Sequence, residues 1–329
     1  MSSHAAIRRL PCALIIAIGA AMLPSSAALA ASAGFGDLLV SAGGLQNRVG
    51  LYDGATGALK VGNFAWDGGL MLNGAQGLAY GANGATLYVA SSNLNQIVRY
   101  NGVNGTFSDL VVASGSGGLM QPYGLILRNN DIFVASYGTN SIKHYNTSGA
   151  YLGDFVTSGL GGLLKPTSLA FGPDGQLYVA SSGNDKVLKY DGATGAFVGT
   201  FIASGSGGLD RPIDVKFGSD NNLYVSSSLT NSVLKYDGAT GAFVSTFVAG
   251  GGAADLQNPW GLGFNGGNLY VASRDTNLVK RFDAATGTFL GNFAQPLAPS
   301  AGFITFSTAP EPATIGLLAV GLLMLRRRR

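Results

Sequence analysis

Residues 177–197 read LYVASSGNDKVLKYDGATGAF, and the fold follows from the copies of this stretch. It returns from Leu223 as LYVSSSLTNSVLKYDGATGAF and from Leu269 as LYVASRDTNLVKRFDAATGTF, with looser copies from Ile132, Leu87 and Leu38. Successive starts lie 49, 45, 45, 46 and 46 residues apart. A fixed period in that range marks a propeller, a solenoid or another array. Within one copy, LYVAS concentrates β-formers as a strand buried on both faces does, and residues 187–190 then alternate. Residues 191–195 read as a hairpin turn, because Asp191 can bond the backbone ahead of it and Gly195 can take φ > 0. Phe197 opens an outer strand, residues 204–209 form a Gly-Ser loop, and Pro212 precedes the next apolar strand. Four strands per repeat make a propeller blade.

The inner strand recurs five times, at residues 77–79, 124–126, 168–170, 214–216 and 261–263, against six copies of the LYVAS strand. The copy at Leu38 has no inner strand before it, and GFITF at residues 302–306 supplies the missing one. The expected fold is therefore an all-β, six-bladed propeller of four-stranded antiparallel blades over residues 31–307. The C-terminal strand should complete the first blade as its innermost member, leaving no open edge.

Composition limits the chemistry. Gly numbers 51 of 329 residues and charged residues are only 11%, which suits short strands and tight turns. The net charge of +3 comes from the ends: between residues 31 and 309 there are 14 Lys and Arg against 16 Asp. A nucleic-acid partner is therefore not expected. Cys12 is the only cysteine and Glu311 the only glutamate, while His144 is the only histidine beyond His4. The array thus has no thiol nucleophile, no Glu for acid–base pairs and too few His for zinc. No cofactor is expected. An Asp/Asn-lined channel could still take Ca or Mg through oxygen ligands, with Asp214 its nearest member. A metal-dependent, lactonase-like hydrolase is accordingly the enzymatic alternative.

Both ends carry sorting features. Residues 1–30 combine Arg8 and Arg9, an apolar run over residues 10–23 and Ala28-Leu29-Ala30, which reads as a secretory signal cleaved after Ala30. An N-terminal anchor is the alternative, and the route, general secretory or twin-arginine, stays open. At the other end Pro310, Glu311 and Pro312 precede an uncharged run over residues 314–325 and then Arg326, Arg327, Arg328 and Arg329. As a helix the run covers about 18 Å, short of the ~30 Å hydrocarbon core, but snorkelling arginines would hold a short transmembrane helix in place. They would also set its direction, with the arginines cytoplasmic. Residues 308–329 resemble the PEP-CTERM sorting signal. That resemblance implies a Gram-negative exporter, transient residence in the inner membrane and processing by an exosortase, with Pro310, Glu311 and Pro312 as its recognition element. An ordinary C-terminal anchor is the alternative.

The blade pattern resembles NHL-type repeats: an inner strand after Pro, an LYVA strand, Asn-x-Val, then Lys-Tyr-Asp and a Gly turn. Asn47, Asn95, Asn140, Asn231 and Asn277 hold the Asn place, with Asp185 substituting in the fourth blade. The series should bond loop backbone between the second and third strands. Asp53, Asp191, Asp237 and Asp283 should cap turns, and Tyr88, Tyr178, Tyr224 and Tyr270 should pack between blades. Function is then sought in residues that break the repeat on the channel-mouth face: Gln121, Tyr123, Lys165, Asn184, Asp185, Arg211, Trp260, Arg274 and Asp275. Tyr, Trp, Arg and Asp in a groove suit a carbohydrate or a peptide; alternatively Trp260 and Tyr123 simply pack beside Pro259 and Pro122. The reading is a secreted or cell-envelope, non-catalytic platform for exopolysaccharide or an envelope protein, with a structural surface coat as a further alternative.

Overall fold

The computed structural model describes residues 32–42, 47–297 and 300–308. They form six four-stranded antiparallel sheets. In the fourth blade the strands are Pro166–Phe171, Leu177–Ser181, Lys186–Tyr190 and Phe197–Ile202, from the centre outward. In the first, Ala301–Phe306 lies inside Leu38–Ala42, followed by Arg48–Tyr52 and Leu59–Ala65. Leu38 faces Phe306 and Val40 faces Ile304, so the C-terminal strand closes the ring as expected. Ser41 Oγ reinforces the join by accepting from Phe303 N–H at 2.9 Å.

The core lies between blades, which explains the uninterrupted apolar run of the second strand. Leu177 and Val179 pack against third-blade residues such as Phe133 and Ile142, while Tyr178 and Ala180 turn to Val215, Leu223 and Val225 of the fifth. Both faces of one strand are therefore buried, and alternation with polar residues would expose a seam. Tyr88, Tyr178, Tyr224 and Tyr270 all pack in these seams.

The Asn series does more than the local reading allowed. Asn140 Oδ1 accepts from Lys165 N–H at 2.8 Å, Asp185 Oδ1 from Arg211 N–H at 2.8 Å, and Asn231 Oδ1 from Asn258 N–H at 2.7 Å. Asn47, Asn95 and Asn277 do the same to Gly74, Gln121 and Ser300. Each side chain thus crosses to the residue before the next blade's inner strand, and the last bond closes the circle. The expected partner, loop backbone of the same blade, is corrected. Both ends of each staple have positive φ, as with Asn231 at 54° and Asn258 at 46°, a setting in which Asn is among the best-tolerated residues. Asn231→Ala should cost about 1–2 kcal/mol, from one lost hydrogen bond and an alanine in left-handed backbone. Urea melts would register it, and an unchanged midpoint would remove the staple from the account.

The Asp turns bear out their geometry. Asp191 Oδ1 accepts from Thr194 Oγ1 at 2.7 Å, Thr194 N–H at 2.8 Å and Ala193 N–H at 3.1 Å, and Asp53, Asp237 and Asp283 repeat the pattern. Gly195 follows at φ 73°, where a Cβ would stand 1.7 Å from Phe155 O of the preceding blade. Only glycine allows that approach. The Thr194 and Thr240 hydroxyls, with the turn N–H groups, hold Asp191 and Asp237 below the ordinary carboxylate value of 3.8. A pKa lowered by folding stabilises fully above the unfolded value and is lost as pH falls through the folded one. Stability is therefore expected to stay level from neutrality to about pH 4 and to fall below it. Urea midpoints across pH check this, and a decline that begins at pH 6 would contradict it.

The inter-blade loops are more ordered than a Gly-Ser reading suggests. Ser116–Gly118, Leu160–Gly162 and Ser206–Gly208 form 3-10 turns, whose carbonyls accept from Tyr145, Tyr190 and Tyr236 hydroxyls of the following blade. The expected secretory signal over residues 1–30, and residues 309–329 of the expected sorting segment, lie outside the described residues. Among the described residues, no helix is long and apolar enough to cross a membrane.

Candidate functional site

Antiparallel blades put the loops between second and third strands, and those entering each inner strand, on one face around the channel. The second residue of each inner strand is Gln76, Tyr123, Thr167, Ile213, Trp260 or Gly302. Tyr123 and Trp260 belong to opposite blades, the third and the sixth, yet their ring centroids are 6.3 Å apart. Tyr137 stacks on Tyr123 at 4.7 Å, and Trp260 meets Phe303 edge-on at 6.0 Å. The larger side chains reach across and stopper the channel.

Trp260 is only 5% exposed, and the Arg274 guanidinium lies 3.7 Å above its ring. Its Nε1–H donates to Asn258 Oδ1 at 3.1 Å, and Asn258 Nδ2 donates to Asp275 Oδ1 at 3.0 Å. Lys165 Nζ stands 5.7 Å from the Tyr137 ring centroid. Burial pushes the Tyr123 hydroxyl up, partly opposed by Arg274 and Arg211, and burial lowers Arg274. The structure therefore gathers Tyr123, Lys165, Arg211, Trp260, Arg274 and Asp275 into one neighbourhood. It gives Gln121 and Asp185 to the staples. Asn184 Nδ2 donates to Gly162 O at 2.7 Å, which ties it to the loop that enters its blade. The expected aromatic groove is a plug, because its rings cover one another or lie under cations.

Two members of the cluster escaped sequence reasoning. Tyr137 follows the second strand where other blades carry Ser92, Ser182, Ser228 and Arg274, so it departs from the repeat. Asn258 sits before Pro259 as Gln121, Lys165 and Arg211 sit before their prolines. Those comparisons were the available signals.

Below the plug, glycine brings the inner strands close: a Cβ on Gly124 would lie 2.8 Å from Thr167 O, and one on Gly261 2.6 Å from Ile304 N. Asp214 is fully buried there. Its Oδ1 accepts from Ser168 Oγ at 2.5 Å and Val215 N–H at 2.9 Å, and its Oδ2 from Leu262 N–H at 2.9 Å. Lys216 Nζ adds an ion pair at 3.5 Å. The carboxylate thus joins the inner strands of three blades, and the place proposed for a cation ligand is filled by protein donors. His144 lies on the third strand of its blade, away from the inner strands that line the channel. It occupies the blade position of Lys189 and Lys235, stacks on Phe133 and pairs with Asp131 at 2.9 Å. Among the described residues, no three His, Cys, Asp or Glu are grouped to hold a metal. On the opposite face lies a cavity of about 480 Å³, lined by Tyr80, Leu127, Phe217, Phe264 and Phe306 together with Lys216.

No protein-family model matches the chain, and no curated protein matches it in sequence. Solved structures do. A chain in the crystal structure of a nidogen/laminin complex superposes with a TM-score of 0.69 at 18% identity, covering 83% of this chain and 99% of that one. The streptogramin B lyase structure superposes with a TM-score of 0.52 at 16% identity, covering 79% and 74%. At such identities the likeness is one of fold: the chain is a six-bladed β-propeller, similar in architecture both to a chain from a binding complex and to a lyase.

Proposed function

We propose that the protein is an exported, non-catalytic binding platform of the NHL type, which holds extracellular polysaccharide or an envelope protein at the cell surface. The observation that carries the reading is the division of labour around the channel. Asp214 and His144 are engaged by scaffold partners, whereas Lys165, Arg211 and Arg274 collect at the mouth with no carboxylate in ion-pair range among the described residues. The leader and the Pro310-Glu311-Pro312 tail support export with exosortase processing. Incubating the mature protein with exopolysaccharide and envelope fractions tests the platform, and failure to be retained by either would refute it. Mass spectrometry of the C-terminus, with and without exosortase, tests the processing; an intact Arg329 in exosortase-competent cells would exclude it.

A structural coat is favoured by one feature. Four of the six outer strands, those of the third to sixth blades, open with an apolar pair, and Leu152, Val198 and Val244 are 51%, 57% and 52% exposed around the rim. Contacts between copies would cover them. A strictly monomeric sedimentation profile at high concentration would dismiss this reading.

A further inference from the structure

We propose that the mouth is a site for carboxylate groups of an acidic polysaccharide, with Arg211 and Arg274 as its main contacts and Lys165 as a third. The inference rests on the platform reading and names the ligand that the platform holds.

The three cations lie on an arc over successive blades: Lys165 enters the fourth, Arg211 enters the fifth, and Arg274 follows the second strand of the sixth. An arc of fixed positive charges fits a chain with regularly spaced negative ones. Arg274 is preorganised. Trp260 supports its guanidinium face at 3.7 Å, and Asn258 pins Trp260. Neither guanidinium nor the Lys165 ammonium has a carboxylate partner among the described residues. The neighbouring acids are turned elsewhere: Asp185 to Arg211 N–H, and Asp275 to the Asn258 amide.

The scaffold does not require these cations where they stand. Lys165 and Arg211 have φ of 50° and 52°, and the equivalent positions in other blades carry Gly74, Gln121, Asn258 and Ser300, all at positive φ and none of them cationic, so the turn itself does not ask for a cation. The choice of a saccharide follows from what surrounds them. The partly exposed Ser182 hydroxyl, bonded to Lys165 O, offers a further oxygen to sugar hydroxyls. A peptide would need open apolar pockets for its side chains, whereas Trp260 is buried under Arg274 and Tyr123 is stacked on Tyr137.

The test compares retention of the mature protein by immobilised polygalacturonate, poly-glutamate and dextran at low salt. Polygalacturonate should retain it, dextran should not, and moderate salt should release it. Arg211→Gln should weaken retention at least fivefold and the Arg211→Gln, Arg274→Gln pair at least twentyfold. Arg211→Lys, which keeps the charge on an exposed side chain, should restore most of the single loss. A thermal melt of each variant separates lost binding from lost fold; the exposed Arg211 variants serve where the pair unfolds. Equal retention by dextran, unaffected by the variants, would overturn this inference and leave the platform standing. Stronger retention by poly-glutamate would overturn the saccharide assignment. Retention by none of these probes, nor by native exopolysaccharide or envelope fractions, would remove both.

Discussion

A chain lacking residues 302–306 is expected to lose cooperative unfolding altogether. The deletion removes the innermost strand of the first blade, whose Phe303 and Ile304 are each only 4% exposed. Losing two such side chains forfeits about 3–6 kcal/mol of burial, against a typical total stability of about 5–15 kcal/mol. Further losses follow from position. Leu38–Ala42 would be left with an unpaired edge facing the channel, Ser41 would lose its Phe303 bonds, and Trp260 would lose the ring it meets edge-on. An exposed edge recruits other strands, so the expected product aggregates. Circular dichroism during urea titration, with size-exclusion chromatography, checks both outcomes. A cooperative transition with an unchanged slope, from a monomeric deletion variant, would show that the ring does not depend on its shared blade.

The same closure explains which parts of the molecule could be read from sequence. The blade was legible because LYVAS is apolar without alternation, and only a strand with a blade on either side needs that. The sixth inner strand was legible by subtraction, since one copy lacked its partner. The staples were not. Asn231 bonds Asn258 in the next blade, and an Asn between two strands reads most simply as bonding its own turn. Distance along the chain hid the contact, although blade packing makes it short. The candidate site was half legible for a related reason. Departures from the repeat identified Tyr123, Trp260 and Arg274, but their meeting across the mouth depends on side-chain length against channel width. That balance decides between a groove and a plug, and it is set by Gly77, Gly124 and Gly261 drawing the inner strands together. The ends followed different rules. The apolar run and the arginines carry the expectation of a sorting signal, and they lie outside the described residues.

Asp214→Ala should be the most damaging single substitution in the channel, at about 3–5 kcal/mol. The methyl group would leave Leu262 N–H, Val215 N–H and the Ser168 hydroxyl without their acceptor, at a site with no exposure. Each buried donor so orphaned costs about 1–3 kcal/mol, reduced wherever water enters the enlarged channel. Asp214→Asn should lose roughly half as much, because one amide oxygen replaces one acceptor while the NH₂ faces a backbone donor. Loss of the Lys216 pair adds little, since that ammonium is partly exposed and water can solvate it. The ranking Ala worse than Asn tests a scaffold role; equal midpoints for both variants and the wild type would reject it. A cation ligand would behave differently. An ion bound at a hundred times its Kd stabilises the folded state by about 2.7 kcal/mol, so millimolar Ca²⁺ or Mg²⁺ would raise Tm in the wild type and not in the variants. No such rise is expected, because the oxygens that would hold the ion already accept bonds from the strands of three blades. A Tm increase specific to wild-type Asp214 would restore the metal site, and with it the hydrolase reading of the channel.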